Sequence, residues 1–200
     1  MKIQHLLYLH GFLSDANSEK GQFVKQRMSE DLPNVKVHTI TYPISLPDVS
    51  VGYIKAYIEH EMLAEDADAE WAVMGSSMGG LYAQHIAQEF EVPYIMINPA
   101  LDPVSVLEEF QGTHEHPKTK EVFTIDERYL SQVARYAPTV ESEQDALLLL
   151  DRADEVIDYQ HAAGIFQDRC KRLIFERGDH AFQHMEDAWP HILEFLKAVR

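Results

Sequence analysis

The sequence predicts an α/β fold, a mainly parallel sheet of about six strands with helices on both faces. Three observations predict it. Strand-like runs alternate with amphipathic helical patterns from one end of the chain to the other. Several runs, among them His5-Leu6-Leu7-Tyr8-Leu9-His10 and Ala146-Leu147-Leu148-Leu149-Leu150, are almost continuously apolar, as strands covered on both faces are. The stretch Gly75-Ser76-Ser77-Met78-Gly79 joins an apolar run directly to a helical pattern, a strand that must reverse sharply into a helix. With 200 residues, one domain over 1–200 is expected.

Taken in order, the first strand ends at His10, bounded by Gly11, and a polar loop over 14–18 leads to a helix from about Glu19 to Asp31, stopped by Pro33. Val35 to Thr41 alternates and is rich in β-branched residues, a second strand. Pro43 and Pro47 mark a loop before a helix from Ser50 to about Ala64, with Val51, Ile54, Ile58 and Met62 on one face. Trp71 to Met74 is the third strand, and the helix after Ser77 runs to about Phe90. Val92 to Ile97 is the fourth, with Pro93 tolerated at its start. Asp102 and Pro103 open a short helix to Phe110. The stretch 111–137 is polar, with one weak helix near Asp126 to Val133. Ala146 to Leu150 is the fifth strand, Tyr159 to Phe166 a helix, and Arg172 to Glu176 the sixth strand. The last helix is expected to start near Asp187, with Pro190 in its first turn.

Composition narrows the function classes. There are 17 Lys and Arg against 33 Asp and Glu, a formal net charge of -16, which repels nucleic acid and anionic lipid. No apolar stretch approaches the roughly 20 residues of a membrane span. The opening residues, Met1-Lys2-Ile3, lead straight towards a strand without the pattern of a signal peptide, so a cytoplasmic location is expected. Cys170 is the single cysteine and reads as an incidental thiol.

In a parallel sheet, ligands sit beyond the carboxyl ends of the strands, so the residues there carry the functional reading. Ser77 stands after the third strand, and the Met78 amide lies at a helix N-terminus, where donors are unpaired and the dipole is positive. His10 and Gly11 follow the first strand and are expected to contact substrate, since glycine lets the backbone approach a ligand, and the Phe12 amide is a second candidate oxyanion donor. Four acids lie between Asp151 and Asp158 after the fifth strand; Asp154 is favoured, with Asp151 and Asp158 as alternatives. His180 follows the sixth strand on the glycine-containing loop Arg177-Gly178-Asp179. A serine hydroxyl needs a base to take its proton, imidazole has the pKa to do so, and a carboxylate fixes the imidazole tautomer. His184, four residues on, would share a helical face with His180 and reads as a surface histidine. A metal reading of the two lacks the glutamate of H-E-x-x-H and a third ligand, and His114 and His116 read as loop histidines without a special role.

These residues together carry a resemblance. Leu7-Tyr8-Leu9-His10-Gly11-Phe12, Gly75-Ser76-Ser77-Met78-Gly79-Gly80, Asp154 to Tyr159 and Gly178-Asp179-His180-Ala181-Phe182 are similar to motifs of the small bacterial YqiA-type esterases of the α/β-hydrolase fold, over nearly the whole chain. The order Ser77, Asp154, His180 is that of α/β-hydrolases. The resemblance implies hydrolysis of a small-molecule carboxylic ester or thioester, with Ser77 as nucleophile, His180 as base, Asp154 as acid and the Phe12 and Met78 amides as oxyanion donors. It implies no cofactor. The chain departs from the family at Ala153 and Arg177, where glycine and a small residue are frequent. The segment 111–137 falls where this fold carries a lid and is expected to cover Ser77. The alternative is a non-catalytic relative of the same fold that binds a ligand or a partner; intact Ser77 and His180 weigh against it.

Overall fold

A computed structural model of the chain describes residues 3–138, 144–167 and 170–199; Met1 and Lys2, read above as the approach to the first strand, lie outside them. Six strands form one wholly parallel sheet: β1 (His5–Leu9), β2 (Lys36–Thr39), β3 (Trp71–Ser76), β4 (Tyr94–Ile97), β7 (Ala146–Asp151) and β8 (Lys171–Phe175), in the order β2-β1-β3-β4-β7-β8. All six residues of β3 and of β7 are buried, as their apolar runs require of central strands.

The alternation of side chains across the sheet builds two cores. Leu6 and Tyr8 of β1 face α1 (Glu19–Asp31) and α7 (Met185–Ala198), through Val24, Met28, Trp189 and Ile192. Leu7 and Leu9 face the other way, towards α2 (Pro47–Tyr57), α3 (Met78–Phe90) and α6 (Tyr159–Ile165), through Ile54, Leu81, Ile86 and Ala162. The chain runs outward from β1 in one direction to β2 and in the other through β3, β4, β7 and β8. The carboxyl ends of β1 and β3 therefore flank the crevice where such sheets bind ligands.

Several expected boundaries shift. The second helix begins at Pro47, three residues early, because proline is favoured in a first turn, and it ends in a π-helical turn over Ile58–Met62. The last helix begins at Met185, which places Pro190 inside it rather than in its first turn; the buried side chains Trp189, Ile192 and Leu196 hold the helix despite the missing donor.

The larger departure is in 111–137. Besides α4 (Pro103–Glu108) just before it and α5 (Glu127–Ala134) within it, this stretch forms an antiparallel hairpin of β5 (Gly112–Glu115) and β6 (Val122–Ile125). Phe123 and Ile125 are buried while Val122 and Thr124 are exposed, the alternation of a strand with one covered face. The hairpin is fastened to the loops after β1 and β2. His116 Nε2 donates to the Ser14 carbonyl at 2.9 Å, and the Ile44 amide donates to Glu121 Oε2 at 3.1 Å. His116 is thus a buried fastener rather than an idle loop histidine.

Candidate active site

Ser77 sits at the turn from β3 into α3 with φ 56 and ψ -121, a backbone conformation that side-chain-bearing residues rarely adopt. Packing around the turn enforces it. A Cβ on Gly75 would lie 2.0 Å from the Gly79 carbonyl oxygen, and one on Gly79 would lie 2.2 Å from that of Leu9, so both positions admit only glycine. The Ser77 amide donates to the Ile97 carbonyl at 2.9 Å and its carbonyl accepts from Ala100 at 3.1 Å, which pins the turn to the end of β4.

The structure brings Ser77, Asp154 and His180 together. The Ser77 hydroxyl donates to His180 Nε2 at 3.0 Å, and His180 Nδ1 donates to Asp154 at 2.9 Å and 3.1 Å from its two carboxylate oxygens. The Asp154 side chain is 2 % exposed. Its Oδ1 also accepts the amides of Val156 and Ile157, at 2.9 and 2.8 Å, so the carboxylate is aimed by its own loop. The other two candidate acids point elsewhere. Asp158 caps α6 through the Gln160 amide, and Asp151, fully buried, accepts His184 Nδ1 at 2.5 Å.

His184 is therefore not a surface histidine, and it shares no helix face with His180. His180 lies in a turn, and His184 is the N-cap of α7, stacked on Phe175 at 4.9 Å. This second Asp–His pair holds the loop that carries the first. Asp151 Oδ2 accepts the Gln183 amide at 2.8 Å and the Asp179 amide at 3.3 Å. From the end of β4, Asn98 accepts the Asp151 amide at 2.9 Å and donates to the Asp179 carbonyl at 3.0 Å. Glu155 Oε2 takes the His180 amide at 3.0 Å. Asn98 escaped the sequence reading, and Glu155 was counted there among the four acids without a role of its own; for both, a place at a strand end was the signal. Arg177 and Gly178 both have positive φ, 69 and 77, where the sequence departs from the family's small residue.

Gly11 packs its α-carbon against Ser77, where an added Cβ would stand 3.3 Å from the serine Cβ. Among the described residues, neither the Phe12 nor the Met78 amide donates to an acceptor. Ser77, His180, Gly11, Phe12 and Glu155 line one cavity of about 350 Å³. His10 does not line it: the residue is 1 % exposed, its ring stacks on Tyr42 at 4.1 Å, and its Nδ1 donates to the Gly11 carbonyl at 2.8 Å. His10, expected to touch substrate, instead supports the loop from behind.

Burial pushes the His10 imidazole from 6.5 down to about 4. The unfolded chain takes up that proton and the folded chain resists it, so stability is full above about pH 6.5 and falls as pH drops towards 4, by roughly 3 kcal/mol. Thermal midpoints across this range are expected to show the loss together with that of His38, which burial also holds down at about 4, and His10→Phe, which keeps a ring against Tyr42, should lessen the slope without removing it. An unchanged slope in that variant would assign the acid sensitivity to other groups.

Burial also raises the Cys170 thiol to about 11, which makes it a poor nucleophile. Among the described residues, no group of three or more His, Cys, Asp or Glu side chains could hold a metal ion, and no helix is long and apolar enough to cross a membrane.

Comparisons with known proteins bear on the fold and the family. The "UPF0227 protein YcfP" of Salmonella gallinarum is 23 % identical over 195 residues, covering 98 % of both chains. Among solved structures, a putative hydrolase from Agrobacterium vitis S4 superposes with a TM-score of 0.76 at 17 % identity, over 98 % of this chain and 88 % of that one. The Pyrococcus furiosus esterase Pf2001 gives 0.73 at 14 %, over 98 % and 82 %. The chain has the α/β-hydrolase fold. The profile of UPF0227, described as an uncharacterised protein family, matches residues 5–197, and the chain belongs to that family.

Proposed function

We propose that the protein is a serine hydrolase that cleaves carboxylic esters or thioesters through an acyl-enzyme. The observation that carries this reading is the continuous hydrogen-bond chain from Ser77 through His180 to a buried Asp154. Because Asp154 holds the proton on Nδ1, Nε2 is free to accept the serine proton. Ser77 Oγ attacks the acyl carbon as its proton passes to Nε2, and the Phe12 and Met78 amides receive the charge that develops on the carbonyl oxygen. The tetrahedral adduct then expels the alkoxide or thiolate, which takes the proton from Nε2. Water attacks the acyl-enzyme by the same route in reverse and frees the acid and Ser77.

The hairpin within 111–137 serves in this reading as a fixed lid. Its Phe123 meets Phe12 edge-to-face at 5.6 Å, one residue from Gly11 at the serine. A matched panel of acyl esters and thioesters of rising chain length tests both points. Turnover of part of the panel is expected, with Phe123→Ala shifting the profile towards longer chains. Absence of any turnover by the folded protein would favour the non-catalytic alternative, and an unshifted profile would remove the lid from substrate selection.

A further inference from the structure

The cavity that holds Ser77 and His180 has a second wall, on the α1 side, that the proposed chemistry does not use. Tyr8, Ser14, Ser18 and Ser76 bring hydroxyl-bearing side chains to it, and Lys20 brings an ammonium. Tyr8 is 2 % exposed, and its hydroxyl has no hydrogen-bond partner, with Ser18 and Ser76 as polar neighbours. Ser18 caps α1 by accepting the Gly21 amide, and its own proton is placed beside the Tyr8 hydroxyl. Lys20 Nζ donates one proton to the Ala181 carbonyl at 2.8 Å and keeps two. Glu155, on the same cavity, uses one carboxylate oxygen on the His180 amide.

Resting on the serine-hydrolase reading, we infer that this wall recognises a neutral, hydroxyl-bearing part of the substrate, as in an ester of a short polyol or of a polyhydroxy acid. An alkyl chain placed here would strip water from hydroxyls and an ammonium and return no hydrogen bond. Each group so stranded costs about 5- to 150-fold in affinity. The wall offers both donors and acceptors, which hydroxyl groups can satisfy. The ammonium lies in the field of Glu19, Asp179 and Asp151, Glu155 lines the same cavity, and the chain as a whole carries -16, so an anion gains little. The volume of about 350 Å³ lies near the lower end of small-molecule sites, room for a fragment of glycerol size beside the reacting carbonyl. The neighbouring groove between α4 and the loop after β7 mixes Val106, Phe110 and Ile157 with Asp102, Glu109 and Asp158, and it shares Glu155 and Val156 with the cavity.

The test compares propyl butyrate with glycerol monobutyrate, hydroxylated on the leaving side, and with propyl 3,4-dihydroxybutyrate, hydroxylated on the acyl side. Acid release is followed at constant pH. At least one hydroxylated ester is expected to show a kcat/KM tenfold or more above propyl butyrate. Tyr8→Phe and Lys20→Met are each expected to lower that ratio at least threefold. Because Lys20 also ties α1 to the residue after His180, its loss can slow every ester alike, and the ratio cancels that effect. Ratios within threefold of one for both hydroxylated esters, or ratios untouched by both variants, would overturn the inference. Continued hydrolysis of propyl butyrate would then leave the serine-hydrolase reading standing. If none of the three esters is turned over, that reading falls and this inference falls with it.

Discussion

Ser77→Ala is expected to lower kcat/KM for ester hydrolysis by at least about 10,000-fold while the protein stays folded. The loss is large because the hydroxyl is the attacking atom of the proposed reaction, and without it His180 Nε2 has no proton to accept from the protein. The fold is spared because the one side-chain bond removed is that to His180, while the turn is held by backbone bonds to Ile97 and Ala100. Fluorophosphonate labelling should follow activity, marking the wild type and sparing the variant. Wild-type turnover by Ser77→Ala would sink the proposed chemistry. Ser77→Gly makes the complementary point. The strained backbone at φ 56 costs about 1–3 kcal/mol, against glycine's extra unfolded-state freedom of about 0.5–1 kcal/mol. That variant should lose activity yet gain stability of about 1 kcal/mol, read from the urea midpoint.

Asp154→Asn is expected to lower kcat by about 1,000- to 10,000-fold with little change in KM. An asparagine amide can turn its NH2 towards His180, which moves the imidazole proton to Nε2, where it faces Ser77 and blocks proton acceptance. Asp158→Asn provides the contrast. Asparagine caps a helix as well as aspartate does, so activity should stay within about twofold and stability within about 0.5 kcal/mol. Asp151→Asn falls between them: it weakens the grip on His184 and on the amides of Asp179 and Gln183, and so reaches His180 only through its loop. Steady-state kinetics of the three variants side by side would decide the assignment. Equal losses at Asp154 and Asp158 would refute it.

The sequence by itself determined the sheet, its helices and the stations of the site. Continuous apolar runs mark strands buried on both faces, glycines flanking Ser77 mark a turn with no room for a Cβ, and function-bearing residues collect where strands end. Local patterns of this kind survive in any tertiary context because backbone sterics and burial dictate them within a few residues. Three matters were decided only by the tertiary structure. Four acids within Asp151–Asp158 are chemically alike, and they were separated by what each meets: His184, the amides of Val156 and Ile157, the amide of His180, or the first turn of α6. His184 was placed by helical spacing from His180, but the loop bonds of Asp151 and Asn98 hold that segment out of a helix until Met185. The hairpin over β5 and β6 was lost among polar residues because one of its faces is wet. Only pairing with its partner strand and burial of Phe123 and Ile125 against the body of the protein make it a strand. In each case the deciding partner lies far along the chain or on another element, and local spacing carries no signal of which distant group a side chain will meet.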